Sequence, residues 1–373
     1  MKKVYLDNAA TTAIRPEVIA QMAQVMQEEF GNPSSTHSFG RSAKNILELS
    51  RKTIAKQIGA QASEVIFTSC GTESNNWILR SAIVDLKVER IISSKIEHHA
   101  VLHTLEVLRD EFSIAVDYVD LTEGGLVDLN HLSELLAENV PTLVSLMHVN
   151  NEIGTVLDLA ETARLCKQYG AHFHTDAVQS VGKVAIDLQQ IPVDFLSASA
   201  HKFHGPKGIG FAFVRKGLVV HPMIWGGEQE KGLRAGTEGV HNVAGMAKAL
   251  EISYTELGSE QAKIAQLRDH LLAQLQIHFR GFKVNGASPL YNIANILLPL
   301  PEEKTAMILF HLDMKGIAVS RGSACQSGSL RPSHVLAEIL SEEDLCKPSL
   351  RISLSHYNTK DDIDYLISVL QSV

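Results

Sequence analysis

Short apolar runs of four or five residues alternate along most of the chain with longer stretches in which apolar residues recur every three or four positions. The first pattern predicts β-strands and the second predicts amphipathic helices. Their alternation is typical of βαβ units, so the chain is predicted to be an α/β protein with a large, mostly parallel sheet. The predicted strands of this sheet cover residues 65–68, 90–93, 116–119, 143–146, 172–175, 194–197 and 210–214.

The helical pattern suggests how the chain divides into domains. Residues 100–112 and 160–169 predict helices that cover the sheet on both faces, and Gly170 ends the second one. From about residue 240 to residue 278 the helical pattern is longer, with a break near Gly258, and shorter β and α segments follow. We therefore predict a large domain over residues 15–255 and a smaller α+β domain over residues 256–373 together with residues 1–14.

The composition favours chemistry on small molecules. The chain has 373 residues, 45% of them hydrophobic and 20% charged, which is ample for two folded domains. Its formal net charge is −8, and no local basic patch stands out. Direct binding to nucleic acid or to anionic lipid needs positive charge, so the sequence argues against both.

The cysteines and the N-terminus indicate the compartment. Cys70, Cys166, Cys325 and Cys346 are too few and too far apart for a disulfide framework or a paired-cysteine zinc site. The first residues lack the apolar core of a signal peptide, and no apolar run approaches the ~18 residues of a membrane helix. We therefore expect a protein of the reducing cytoplasm.

Polar residues are densest where two predicted strands end, in segments 174–179 and 199–208. Ligands of open α/β sheets bind at the carboxyl ends of strands, so Asp176 and Lys202 are expected on either side of one ligand. Spacing alone allows a plainer interpretation, in which Asp176 caps a helix and Lys202 lies on the surface.

A third segment favours the ligand. Gly71 and Thr72 follow the strand 65–68 and begin a predicted helix, where backbone N–H groups bind anions and a glycine allows close approach. Alone, this segment is equally compatible with an ordinary helix start. An anion site, an aspartate and a lysine at neighbouring strand ends together indicate a pyridoxal phosphate site.

Longer motifs extend over nearly the whole chain. They are Tyr5-Leu6-Asp7-Asn8-Ala9-Ala10-Thr11-Thr12, Asn150-Asn151-Glu152-Ile153-Gly154, Asp176-Ala177-Val178-Gln179-Ser180, His201-Lys202-Phe203-His204-Gly205-Pro206-Lys207-Gly208-Ile209-Gly210, Gly322-Ser323-Ala324-Cys325 and Leu350-Arg351-Ile352-Ser353-Leu354. In this order they resemble the cysteine desulfurases of the NifS/IscS type, which are class-V aminotransferase-like enzymes. The resemblance implies a homodimeric fold-type-I pyridoxal-phosphate-dependent transferase that takes sulfur from L-cysteine and leaves L-alanine. The large domain would then bind the cofactor.

The same resemblance assigns roles around the cofactor ring. Lys202 would hold the cofactor as a Schiff base and, once released by substrate, move the Cα proton. Asp176 would keep the pyridine nitrogen protonated, and Gln179 would hydrogen-bond the ring hydroxyl. His98 would stack on the ring and share in proton transfer, although without the family match a solvated helix position is the more ordinary interpretation. Its neighbour His99 should face another way.

The resemblance also assigns the phosphate and the substrate. The phosphate ligands would be Thr72, Ser199 and His201, with Thr237 supplied by the neighbouring subunit. Arg351 would bind the substrate carboxylate through two parallel hydrogen bonds. Asn151 would assist at the carboxylate and ring side; without the neighbouring motifs it would be interpreted as a turn residue.

Cys325 decides which reaction the cofactor supports, because desulfuration needs a thiolate that attacks the substrate sulfur and carries it as a persulfide. Residues 320–329 are small, polar and rich in glycine and serine, which predicts an exposed loop. Cys166 is instead predicted to be a buried apolar residue, and Cys70 to fill a small-residue position beside the phosphate loop. The resemblance implies that this sulfur is supplied for iron–sulfur clusters or for thiolated tRNA and cofactors.

Three alternatives remain at this level. His172, His174 and Asp176 alternate along one predicted strand and share a face, which is the pattern of a metal-dependent hydrolase. The chain could also be another class-V enzyme, an aminotransferase or a selenocysteine lyase, or a sulfur carrier without turnover. The acceptor of the sulfur also stays open: it is an iron–sulfur scaffold, a tRNA-thiolation protein or another carrier.

Overall fold

The computed structural model describes residues 2–305, 307–322 and 333–373. Cys325 lies outside these ranges. The strands are β1 (Val4–Tyr5), β2 (Val65–Thr68), β3 (Arg90–Ser93), β4 (Ala115–Tyr118), β5 (Leu121–Thr122), β6 (Leu126–Val127), β7 (Thr142–Ser145), β8 (His172–Asp176), β9 (Phe195–Ser199), β10 (Gly210–Val214), β11 (Lys283–Asn285), β12 (Ile293–Leu297), β13 (Ile317–Ala318) and β14 (Ser349–Ser353). The helices are α1 (Pro16–Glu28), α2 (Ser38–Gln57), α3 (Gly71–Val84), α4 (His99–Phe112), α5 (Leu129–Leu136), α6 (Leu159–Gln168), α7 (Val240–Thr255), α8 (Leu257–His278), α9 (Ile308–Met314), α10 (His334–Ala337), α11 (Glu342–Cys346) and α12 (Lys360–Leu370).

The central sheet has seven strands in the order β2-β10-β9-β8-β7-β3-β4. They are the seven strands expected from the sequence, and the predicted α/β fold is confirmed. Every pair is parallel except those of β10, which runs antiparallel to both β2 and β9. Strands β2, β3, β7, β9 and β10 are buried along their whole length, which explains why they appear in the sequence as continuous apolar runs.

Helices cover both faces of this sheet, as expected. Side chains alternate between the faces of a strand, and β2 shows the result. Val65 and Phe67 belong to a core shared with α1, α2 and α7, whereas Ile66 belongs to a second core shared with α3 and α4. No helix in the described ranges is long and apolar enough to cross a membrane.

A smaller C-terminal domain is built around the antiparallel sheet β11-β12-β14. Helices α8 and α12 contribute to its core, together with Val4 and Leu6 from the start of the chain. The N-terminal strand β1 pairs with β13, and Asp7 forms a bridge with Ser353. Helices α7 and α8 meet at Glu256, close to the break expected near Gly258. The exact domain boundary stays a prediction.

Candidate active site

A cavity of about 230 Å³ lies where β8 and β9 end, between the large sheet and the N- and C-terminal segments. It brings together ten of the residues singled out from the sequence. These are Gly71, Thr72, His98, Asn151, Asp176, Gln179, Ser199, His201, Lys202 and Arg351. Segments far apart in the chain therefore meet at one site.

Asp176 is a buried charged group of this cavity. It is the last residue of β8, its exposed fraction is 7%, and its carboxylate is held by two donors. Asn75 Nδ2 donates to Oδ2 at 2.7 Å, and the Val178 N–H donates to Oδ1 at 3.0 Å. The role of Asn75 was missed in the sequence, although it lies one helical turn after Thr72 and so faces the same way.

The start of α3 provides an anion site. Cys70 occupies the N-cap position and makes no side-chain cap bond, which leaves the first backbone N–H groups of the helix available to a ligand. A Cβ on Gly71 would lie 2.5 Å from Val178 Cγ2, so any other residue there would have to displace Val178. Ser199 Oγ is buried and, among the described residues, has no hydrogen-bond partner. A bound anion would satisfy these donors.

Lys202 and Gln179 both contact the N-terminal segment. Lys202 lies in a single 3₁₀ turn, Ala200–Lys202, that follows β9 directly. Its Nζ donates to the carbonyl oxygens of Ala9 and Ala10 at 2.6 and 2.8 Å. Gln179 Nε2 donates to the same Ala9 oxygen at 2.8 Å. The N-terminal motif therefore forms a wall of the cavity and orients its lysine.

His98 caps the N-terminus of α4. The Ala100 N–H donates to His98 Nδ1 at 3.0 Å, so the neutral ring carries its proton on Nε2. Burial lowers the pKa of His98, Asp176 acts in the opposite direction, and Lys202 adds to the lowering. His99 does not line this cavity; its ring stacks on that of His103 and lies tilted against that of His334.

Arg351 closes the other end of the cavity. It lies on β14 and is 1% exposed. Its Nη1 donates to the Asn151 carbonyl and its Nη2 to Asp7 Oδ1, both at 2.8 Å. Its Nε is buried without a partner among the described residues, which leaves a donor for a ligand. Asp7 was not predicted as a site residue, because its partner is 344 residues away in the chain.

His201 lines the cavity and contacts the N-terminal segment. Thr11 Oγ1 lies 3.1 Å from its Nδ1. Burial, with the positive charge of Lys202, Lys207 and Lys183, lowers the pKa of His201 to about 4, so the ring is neutral near pH 7.

Among the described residues that the sequence assigned to the site, Thr237 alone does not line the cavity of its own chain. It borders a separate pocket together with Arg234. Its assignment to the neighbouring subunit stays a prediction, as does the role of Cys325. Cys166 is buried, as expected, and burial raises the pKa of its thiol. Cys70 lines the cavity beside the start of α3, also as expected.

The geometry does not favour a metal at His172, His174 and Asp176. The ring nitrogens of His174 lie 2.9 Å from Ser145 Oγ and 3.2 Å from Ser197 Oγ, so both are already in hydrogen bonds. Asp176 is held by Asn75. Within the described ranges, no group of three or more histidine, cysteine or acidic side chains could hold a metal ion.

Comparison with known proteins supports the cofactor interpretation. Residues 4–366 match the family "Aminotransferase class-V". The chain is 43% identical over 376 positions to the cysteine desulfurase IscS of Dictyoglomus turgidum, covering 100% of this chain and 94% of that protein. It is 39% identical to the IscS of Methanosarcina thermophila, covering 100% and 92%.

Comparison with solved structures agrees with these sequence matches. A NifS-like protein superimposes with a TM-score of 0.91 at 35% identity, covering 100% of this chain and 99% of that one. The protein SspA, in complex with cysteine, superimposes with a TM-score of 0.83 at 32% identity, covering 96% and 100%.

Proposed function

The chain belongs to the class-V aminotransferase family and, within it, to the cysteine desulfurases, and from this premise we propose that its cavity binds pyridoxal phosphate and removes sulfur from L-cysteine. The observation that carries the proposal is the meeting of a helix N-terminus, a buried carboxylate and a lysine in one cavity. The binding of cysteine by the neighbour SspA supports the choice of substrate.

The donor set fits the cofactor. The start of α3 at Gly71, with Thr72, Ser199 and His201, would hold the phosphate. Asp176 would pair with the protonated pyridine nitrogen, because its carboxylate is already oriented by Asn75 and the Val178 N–H. When bound, pyridoxal phosphate supplies an electron-withdrawing ring that makes the Cα proton of the substrate acidic.

The side chains of the protein do the positioning and the proton transfer. Lys202 Nζ, held by two carbonyl oxygens of the N-terminal segment, binds the cofactor and moves the proton at Cα. His98, with its proton on Nε2, would stack on the ring of the cofactor and share in proton transfer. Arg351 binds the substrate carboxylate through its remaining donor Nε and a neighbouring Nη, and Asn151 lies beside it.

Cys325 takes the sulfur. Its thiolate attacks the sulfur of the bound substrate, the Cβ–S bond breaks, and an S–S bond forms. Cβ gains a hydrogen and becomes the methyl group of L-alanine, while the cysteine thiol of the enzyme becomes a persulfide. Carbon is reduced and sulfur is oxidised by the same two electrons, so no external oxidant is needed.

The partners follow from the same premise. We propose a homodimer in which Thr237 of each chain reaches the phosphate in the other, and a protein acceptor that receives the persulfide sulfur. An iron–sulfur scaffold and a tRNA-thiolation protein are both compatible acceptors. A Thr237→Ala dimer should lose cofactor affinity, whereas a stable monomer with full activity would contradict the shared site.

The test is desulfuration by cysteine variants of the cofactor-loaded protein. Cys325→Ala should abolish sulfide release from L-cysteine and keep the visible absorbance of the bound cofactor. Cys346 is an exposed free cysteine, so Cys346→Ala is the matched control and should behave as the unchanged protein. Lys202→Ala should lose the visible absorbance, and a chelator should have no effect. Undiminished alanine and sulfide production by Cys325→Ala would contradict the persulfide step.

A further inference from the structure

A second lysine lies behind the cavity, and the proposed mechanism gives it no role. Lys183 lies four residues after Gln179 in the turns that follow β8, and its Nζ donates to Gln179 Oε1 at 3.1 Å. Its backbone is anchored at both ends: its N–H donates to the Ser180 carbonyl at 2.9 Å, and Tyr291 Oη donates to its carbonyl at 3.3 Å. The lysine is therefore fixed against one particular side chain of the site.

This contact determines which way the Gln179 amide faces. A charged lysine offers only donors, so the amide oxygen must face Lys183. The amide nitrogen then faces the Ala9 carbonyl, to which it donates at 2.8 Å. A reversed amide would place two donors against each other at Lys183 and two acceptors against each other at Ala9. The second N–H of Gln179 is thus left for a ligand in the cavity.

The charge around Lys183 is positive. No carboxylate forms an ion pair with it in the described part of the chain, while Lys202 and Arg351 face it. Burial, and then those two charges, lower the pKa of Lys183 to about 7. Its own charge contributes to the lowered pKa of His201 and of His204. Such an excess of positive charge suits an anionic ligand, whose arrival would in turn raise the pKa of Lys183 again.

We propose that Lys183 is a positioning residue that acts through Gln179: it directs the amide nitrogen to the ring oxygen of bound pyridoxal phosphate, and its charge favours the ionised form of that oxygen. The inference rests on the proposed function, because it requires the cofactor in this cavity. It assigns Lys183 no contact with the substrate.

The test is a pH titration of the visible absorbance of the cofactor-loaded protein, with cofactor affinity measured in parallel. Lys183→Met removes both the donor and the charge. We expect it to raise the pKa of the bound chromophore by about one unit, since loss of a nearby positive charge favours the form with one more proton. Cofactor affinity should fall several-fold.

Two further variants separate charge from hydrogen bonding. Lys183→Gln should keep much of the affinity and still show the raised chromophore pKa, and Lys183→Arg should restore both values. Lys167 is an exposed lysine on α6, so Lys167→Met is the control and should change neither the cofactor affinity nor the chromophore pKa. Melting temperatures identify any variant that fails to fold.

An unchanged titration in loaded Lys183→Met or Lys183→Gln would overturn the inference and leave the proposed function intact. If the unchanged protein develops no visible band with pyridoxal phosphate, the proposed function itself fails, so the two failures are distinguishable.

Discussion

The two ends of the cavity are assembled in different ways. The cofactor end, defined by Gly71, Asn75 and Asp176, uses a strand end and a helix start of one central sheet. The carboxylate end, defined by Asp7 and Arg351 with the Asn151 carbonyl, joins the two ends of the chain. There, the hydrogen-bond partners of Arg351 are 344 and 200 residues away in sequence.

This difference suggests that the two binding tasks are separable. The three residues that define the cofactor end lie in or directly after the central sheet, at the end of β8 and in the first turns of α3. The carboxylate end exists only when β1 and β14 pack beside the large sheet. Changes at the first end should therefore alter the cofactor and every later step, whereas changes at the second should alter substrate binding with the cofactor in place.

Among the changes that compare the two ends, replacing Asp176 should have the largest effect. In Asp176→Asn the carboxylate that would keep the ring nitrogen protonated is lost, and a charge-assisted hydrogen bond of about 3 kcal/mol corresponds to roughly a hundredfold in rate. We expect kcat to fall by about that factor, with weaker cofactor binding, measured by alanine formation and bound-cofactor content. If Asp176→Asn retained more than a tenth of the activity, the proposed role of Asp176 at the ring nitrogen would be wrong.

Replacing Arg351 should separate the two ends. Arg351→Lys keeps the charge but loses the planar pair of donors, so kcat/KM for L-cysteine should fall about ten- to a hundredfold. The visible absorbance of the cofactor should persist. A spectroscopic titration followed by steady-state kinetics gives both values, and loss of the absorbance would show that the ends are not independent.

Removing Asp7 should have a smaller effect of the same kind. Asp7→Ala leaves Arg351 Nη2 without its acceptor, so the guanidinium is less well oriented and KM should rise about tenfold with little change in kcat. Asp7→Asn retains an acceptor oxygen and should recover most of the loss. An equal fall of kcat in both variants would place Asp7 in the chemistry instead.

The smallest effect on activity is expected at Glu97, which lies behind the cofactor end. Its side chain is buried, the Met147 N–H donates to Oε1 at 2.8 Å, and Oε2 has no partner among the described residues. Burial raises the pKa of Glu97 well above its ordinary value; the Met147 N–H acts in the opposite direction and Asp176 adds to the rise, so the site favours the protonated form. Glu97→Gln therefore resembles the protonated side chain and should retain activity.

The pH dependence of stability checks this assignment. A carboxyl whose pKa is raised on folding contributes its full stability below its unfolded pKa and loses it as pH rises towards the folded pKa, by about 1.4 kcal/mol per unit. Glu97→Gln lacks this loss, so its melting temperature should increasingly exceed that of the unchanged protein as pH rises. A difference that stays constant with pH would mean that Glu97 is ionised.

The cofactor end could be predicted from the sequence better than the carboxylate end, for physical reasons. Strands β2, β3 and β10 have the bounds expected from the sequence, and β4 and β7 each begin one residue earlier than expected. The fully buried strands could be located because they appear in the sequence as continuous apolar runs. Strand ends then located Asp176 and Lys202.

Other contacts have no local signal. The pairing of Asp7 with Arg351 depends on how the two chain ends meet, and the bond from Lys183 to Gln179 depends on rotamers that spacing cannot specify. For the smaller domain the sequence predicted that strands and helices occur, but not where each strand begins and ends. Short antiparallel strands leave little periodicity in the sequence.

The most direct test of the account is the mass of the Cys325 peptide after the cofactor-loaded protein has turned over L-cysteine without an acceptor or reductant. We predict that this peptide gains the mass of one sulfur atom, that the gain disappears on reduction, and that L-alanine forms in equal amount. Formation of L-alanine while Cys325 stays unmodified and another cysteine carries the sulfur would contradict it.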